Sequence, residues 1–143
     1  MKETSTPAAG TKIFVNLPVK DLNKAKDFFA KLGYGFNAQF TDDTAASMIV
    51  SDDIYVMLLT HDKFKQFTPN EICDATKSSE ALICLSCESR AKVDEQVRKA
   101  VAAGGTTYAT AKDYGFMYGH GFQDLDGHIW ELMWTDPNGA PPH

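Results

Sequence analysis

No apolar run here is long enough to cross a bilayer, no block of lysine and arginine stands out, and cysteines number only three. Each shortage excludes something. The longest apolar stretches, "IYVMLL" and "ALICLSC", fall well short of the roughly 20 residues that a spanning helix needs. Fourteen Lys and Arg against nineteen Asp and Glu leave a formal charge of -5 and no cationic field, so neither nucleic acid nor a membrane surface is an expected partner. An odd cysteine count argues against a disulfide framework and fits a reducing compartment. The start, "MKETSTPAAGT", lacks the apolar core of a secretory signal, and a cytoplasmic location is expected. No G-x-S-x-G or P-loop occurs, and no local context supports a Ser-His-Asp order. The acidic turns "TDD" and "SDD" have too few regularly spaced oxygens to be calcium loops.

What is present suits one domain with a real core: 143 residues, 43% hydrophobic and 23% charged. Cys84 and Cys87 form a C-x-x-C, but "ALICLSC" reads as a strand, where positions three apart face opposite ways. Neither a zinc nor a redox site is expected there, and Cys84 is taken as a small core residue.

The same order of signals occurs twice. "KIFVNLPV" reads as a strand, after which Asp21 caps a helix with Leu22, Ala25, Phe28, Phe29 and Leu32 at helical spacing, ended by Gly33. Strands follow near 35–40, 45–50 and 54–60. Further on, "EALICLSC" is a strand, Ser89 a cap, and Val93, Val97, Ala100 and Val101 the buried face of a helix closed by Gly104 and Gly105. Strands near 106–110, 115–123 and 128–134 complete the second set. Gly33 and Gly104 lie 71 apart and Met57 and Glu131 lie 74 apart, so a β-α-β-β-β module of about 70 residues is repeated. The expected organisation is one α+β domain over 12–135, with modules 12–60 and 80–135, a connector 61–79, and flexible tails 1–11 and 136–143. Phe64 and Phe67 suggest a short packed helix or lid within the connector.

The closing strand poses the sharpest question. In "DLDGHIWELMW" a lone Glu131 shares a strand face with Ile129 and Met133, while Trp130, Leu132 and Trp134 take the other. An unpaired carboxylate between apolar neighbours must find water, a donor, a cation or a ligand. If the hairpin loop is Leu125 to Gly127, Gly121 stands opposite Glu131 and His120 opposite Leu132; a two-residue loop reverses those faces. Gly119 and Gly121 either leave room over the carboxylate or mark a bulge. His128, three residues before Glu131, faces away from it and reads as a turn or surface residue. Tyr114, Tyr118 and Trp130 either pack in the core or line a ligand site.

The paired modules, the opening "VNLPVKDLNKAKDFFAKLGY" and the closing "FQDLDGHIWELMW" resemble the vicinal oxygen chelate superfamily, which includes glyoxalase, bleomycin-resistance proteins and extradiol dioxygenases. The resemblance implies two β-α-β-β-β modules that curl a mixed sheet around a cleft. Laid on the metal-binding pattern of that superfamily, the ligand positions fall at Phe14, Met57, Leu82 and Glu131, of which only Glu131 keeps ligand chemistry. One carboxylate does not hold a catalytic ion, even with the amide of Asn16 on the same face as Phe14. The resemblance therefore implies a cleft without the usual metal and with no other cofactor, lined by Glu131, Asn16, Phe14, Met57, Leu82, Gly119, Gly121, Tyr118 and His120. It takes a small organic molecule, as in the ligand-sequestering bleomycin-resistance branch, and a homodimer is implied too. Two alternatives stand beside this: a metal-dependent lyase or dioxygenase with an atypical site, and a structural domain whose cavity is filled, with Glu131 held by protein groups alone.

Overall fold

The computed structural model describes residues 10–139; of the expected tails 1–11 and 136–143, residues 1–9 and 140–143 lie outside the described residues. The first module runs β1 (Ile13–Val19), α1 (Leu22–Lys31), β2 (Gly35–Asn37), β3 (Ala45–Ile49) and β4 (Ile54–Thr60). After α2 (His61–Lys65) the second runs β5 (Leu82–Ser86), α3 (Arg90–Ala102), β6 (Lys112–Asp113), β7 (Met117–Gln123) and β8 (Ile129–Thr135). The fold is α+β, with two four-stranded mixed sheets in the orders β1-β4-β3-β2 and β5-β8-β7-β6 that do not close into one. In each, the module's first strand runs parallel beside its last.

Caps start the two long helices. The Asp21 side chain accepts from the Lys24 amide at 3.1 Å and Ser89 from the Lys92 amide at 3.0 Å, satisfying amides that the first turn leaves without partners. Gly33 and Gly104 close them at φ of 103° and 112°, a region costly for a residue with a Cβ. The buried face of α1 holds Leu22, Ala25, Phe28 and Phe29, and Leu32 is buried just beyond its end. On α3 the buried positions are Val93, Gln96, Val97 and Ala100, while Val101 is 47% exposed, contrary to expectation. At 3.6 residues per turn Val101 drifts off that face, and Gln96, three residues past Val93, occupies it instead.

Two strands depart from expectation. Near 35–40 the ladder stops at Asn37, whose side chain accepts from the Gln39 amide at 3.0 Å and turns Ala38–Phe40 into a single 3-10 turn. Near 106–110 there is no strand: Thr106 forms one bridge with Gln123, and pairing resumes only at Lys112 opposite Gly119. Residues 107–111 face only residues 120–122, so the longer segment leaves the ladder.

One core joins the modules. Phe28 and Phe29 of α1 reach Phe122 and Trp130 of the second sheet at ring-centroid distances of 6.0 and 5.1 Å, in a cluster that also holds Leu17, Val56, Val93 and Leu132. The turn between β7 and β8 ties to the end of β1: the Lys20 amide donates to Asp126 at 2.7 Å, and His128 Nε2 lies 2.7 Å from the Pro18 carbonyl. Asp124, 6% exposed, anchors that turn, one oxygen accepting from the Asp126 and His128 amides and the other from Trp130 Nε1 at 2.9 Å. Helices cover one face of each sheet; the opposite, bare face carries the residues of interest.

Candidate functional site

The hairpin register sets the site. Gly121 pairs with Glu131 and His120 with Leu132, and on the other side of β8 Cys84 pairs with Glu131. Strand alternation therefore puts Cys84, Glu131, Gly121 and Gly119 on the bare face, and Trp130, Leu132, Phe122, His120 and Tyr118 on the helix-bearing face. The Tyr118 hydroxyl donates to Asp94 of α3 at 2.6 Å, which fixes that assignment.

Over Glu131 lies a cavity of about 250 Å³, walled by Met117, Gly119, Gly121 and Met133 and by Tyr108 and Tyr114 of the looped-out segment. Gly121 is required here. A Cβ at that position would collide with the Tyr108 hydroxyl and come within 2.7 Å of the Trp130 carbonyl. The room expected over the carboxylate is thus filled at its Gly121 end by a phenol, while Gly119 meets only Met133 and the Leu132 carbonyl at 3.6 Å or more. Burial pushes the Tyr108 hydroxyl's pKa up, with the nearby Glu131 carboxylate and Cys84 adding to it. Burial, then Glu131, likewise raises that of the Cys84 thiol. Glu131, Tyr108 and Cys84 are therefore close enough to sense one another's charge. The group offers a carboxylate acceptor, a hydroxyl that donates or accepts, and a thiol held in its neutral, weakly nucleophilic form.

Sequence reasoning missed Tyr108 and placed Cys84 in the core, whereas Cys84 is exposed. Parity alone signalled the second, since Leu82 and Cys84 are two apart on one strand. Nothing local signalled the first, because Tyr108 reaches Gly121 only through the slipped pairing between Thr106 and Lys112.

The other candidate residues scatter. Phe14 and Leu82 lie on the bare faces, 53% and 56% exposed, with Phe14 stacked on Tyr55 at 5.1 Å. Met57, beside Asn16 in the ladder, is half-buried. Asn16 borders a different cavity, together with His128, and so does not join Glu131 within one chain. Tyr118 and His120 belong to strand positions facing away from Glu131, although His120 contributes to the cavity wall.

The donor set at Phe14, Met57, Leu82 and Glu131, the metal positions that the resemblance implies, does not fit an ion. Phenylalanine and leucine have no lone pair to give, a thioether is a weak soft ligand, and Glu131 alone is insufficient. Among the described residues no three His, Cys, Asp or Glu side chains are grouped so that they could hold one ion.

Residues 11–51 match the family described as bleomycin resistance protein-like N-terminal. A hypothetical protein from S. aureus superposes with a TM-score of 0.74 at 26% identity, covering 90% of this chain and 95% of that one. A glyoxalase-related enzyme from Fulvimarina pelagi does so at 0.75 and 17% identity, over 94% and 96% of the two chains. A glyoxalase/bleomycin resistance protein/dioxygenase family enzyme from Burkholderia phytofirmans PsJN gives 0.71 at 15% identity, over 85% and 96%. No curated protein matches the sequence significantly.

Proposed function

We infer, from a chain that has the fold of the vicinal oxygen chelate superfamily and an N-terminal segment of the bleomycin-resistance type, that it binds a small organic molecule against Glu131 without a catalytic metal. One observation carries this reading: the carboxylate lies half-buried at a cavity walled by methionine, glycine and tyrosine, with Thr110 and Lys112 also at its border, next to a phenol for which Gly121 makes room. Apolar walls with a few convergent polar groups are the usual make-up of a ligand pocket. In this reading the ligand places a hydrogen donor or a cationic group on Glu131 and is held rather than transformed.

The working unit in this reading is a single domain over 12–135, present as a two-fold dimer. A cavity of about 250 Å³ lies under the roughly 300–1,000 Å³ common to ligand pockets. The bare faces also leave Phe14 and Leu82 more than half exposed. A second copy laid over these faces would enlarge the cleft and cover the apolar surface.

Thermal-shift screening of wild type and Glu131→Gln against cationic, neutral and anionic small molecules tests the reading. Stabilisation by cationic or donor ligands that fades in the variant supports it. Identical response panels in the two proteins overturn it.

A further inference from the structure

We propose a second binding site, separate from Glu131, that takes a small apolar amine in the cavity beneath the connector. This cavity measures about 460 Å³, inside the range of ligand pockets, and is bordered by β1 of one sheet and β5 of the other.

Its cover is built, not loose. Gly127, at φ 88°, lies so close to the connector that a Cβ there would meet the Thr76 amide nitrogen at 2.8 Å and the Ala75 carbonyl at 2.9 Å. The connector thus presses its backbone onto the β7–β8 turn. Asp74 stiffens it there, accepting from the Thr76 hydroxyl at 2.6 Å and the Thr76 amide at 3.0 Å.

The lining states the ligand's chemistry. Val15, Leu17, Phe64, Ile83 and Ile129 form apolar walls for a hydrocarbon or aromatic body. Glu71 and Glu80 supply two carboxylates, and no Lys or Arg is among the described residues of the lining. The His128 ring nitrogen Nε2 is already engaged with the Pro18 carbonyl at 2.7 Å. Asn16 adds a neutral amide. A site with two carboxylates and no fixed cation repels anions and favours an ammonium group at its rim. Its apolar walls favour a body of about one ring.

Three ring-matched probes test this by methyl NMR of the intact protein: benzylamine, benzyl alcohol and benzoate. Benzylamine should shift the methyls of Val15, Leu17, Ile83 and Ile129 and bind about fivefold tighter than benzyl alcohol, the gain of one partly exposed ion pair, while benzoate shifts none of them. The double variant Glu71→Gln, Glu80→Gln alters only exposed side chains and should bring amine and alcohol to equal affinity. Ala81→Trp, filling the cavity, should abolish both. Glu131→Gln should leave these shifts unchanged, so the second site stands or falls independently of the first. Benzylamine leaving those methyls unmoved would overturn the proposal. So would benzoate binding as well as benzylamine, a double variant that keeps the amine preference, or shifts confined to Met117 and Met133 beside Glu131.

Discussion

Glu131 and Asp124 are two carboxylates on one hairpin with opposite circumstances. Glu131 lines a cavity, so Glu131→Gln should leave the melting temperature near that of wild type while weakening a cationic or donor ligand by about ten- to a hundredfold, the loss of a charge-assisted bond. Calorimetry of both proteins with and without ligand checks it. Unchanged affinity with a lowered melting temperature would mean that the carboxylate only satisfies protein groups. Asp124 is fully enclosed, and burial pushes its carboxyl pKa up, against the pull of His128 and of the Trp130 and Asp126 hydrogen bonds. A carboxyl with a higher pKa folded than unfolded holds its proton more tightly in the folded state. Its contribution to stability is therefore fully present below the ordinary carboxylate pKa, near 4, and is lost as the pH rises through the raised value. Asp124→Asn should flatten that part of the stability profile. It should also destabilise at neutral pH by about 1–3 kcal/mol, because one amide cannot accept on both sides from Trp130 Nε1 and from the two backbone amides. Melting curves of the two proteins across the acidic range decide the matter.

At the scale of elements, the segment that carries Tyr108 is held at its far end by Arg90 of α3. The Arg90 guanidinium donates to both Asp113 oxygens at 2.6 and 3.0 Å and to the Gly115 carbonyl at 2.9 Å, and it stacks over the Tyr118 and Trp134 rings at 5.2 and 5.1 Å. A two-residue strand such as β6 has little pairing of its own. Arg90→Ala should therefore speed amide exchange at Tyr114 and Gly119 well before it affects the amides of β5 or α1. Uniform acceleration throughout the chain would show instead that Arg90 supports global stability. This region is also where the sequence was least legible. Helix caps, glycine stops and the alternation of β8 rest on contacts a few residues apart, and the order of elements in both modules could be read from them. The β7–β8 register stayed open in the sequence, because a loop of Leu125 to Gly127 gives the observed pairing and a two-residue loop the reverse. The slip between Thr106 and Lys112 depends on what lies across the sheet, on Gly121 and on Arg90, and no local pattern encodes it. Cys84 was misplaced for a related reason: composition favours a buried cysteine, but which face of β5 is bare is decided by where the helices pack.

At the scale of the molecule, the repeat in the sequence does not mean two independent units. Phe28 and Phe29 are each 1% exposed and belong to the first module, yet they pack on Phe122 and Trp130 of the second. Phe29→Ala should cost about 3–5 kcal/mol, and the cost should fall on both modules together, as one cooperative transition seen alike by the Trp130 environment and by backbone signals from β3. The opposite faces are covered only in part, with Ala45, Ser47 and Leu59 buried beside Met57. Phe14 and Leu82 are more than half exposed on the faces that carry Met57 and Glu131. Asn16 and Glu131 border separate cavities within one chain, and the dimer proposed above would join the two bare faces in one cleft. Sedimentation at micromolar concentration should then give twice the chain mass of 15.8 kDa. Phe14→Asp together with Leu82→Asp should shift it toward the monomer, because paired charges on a buried apolar face are strongly opposed to association. Ligand affinity at Glu131 should fall in the same variant if the partner's face completes the cleft. A wild-type monomer at that concentration would refute the dimer and leave Glu131 to act from the smaller cavity of its own chain.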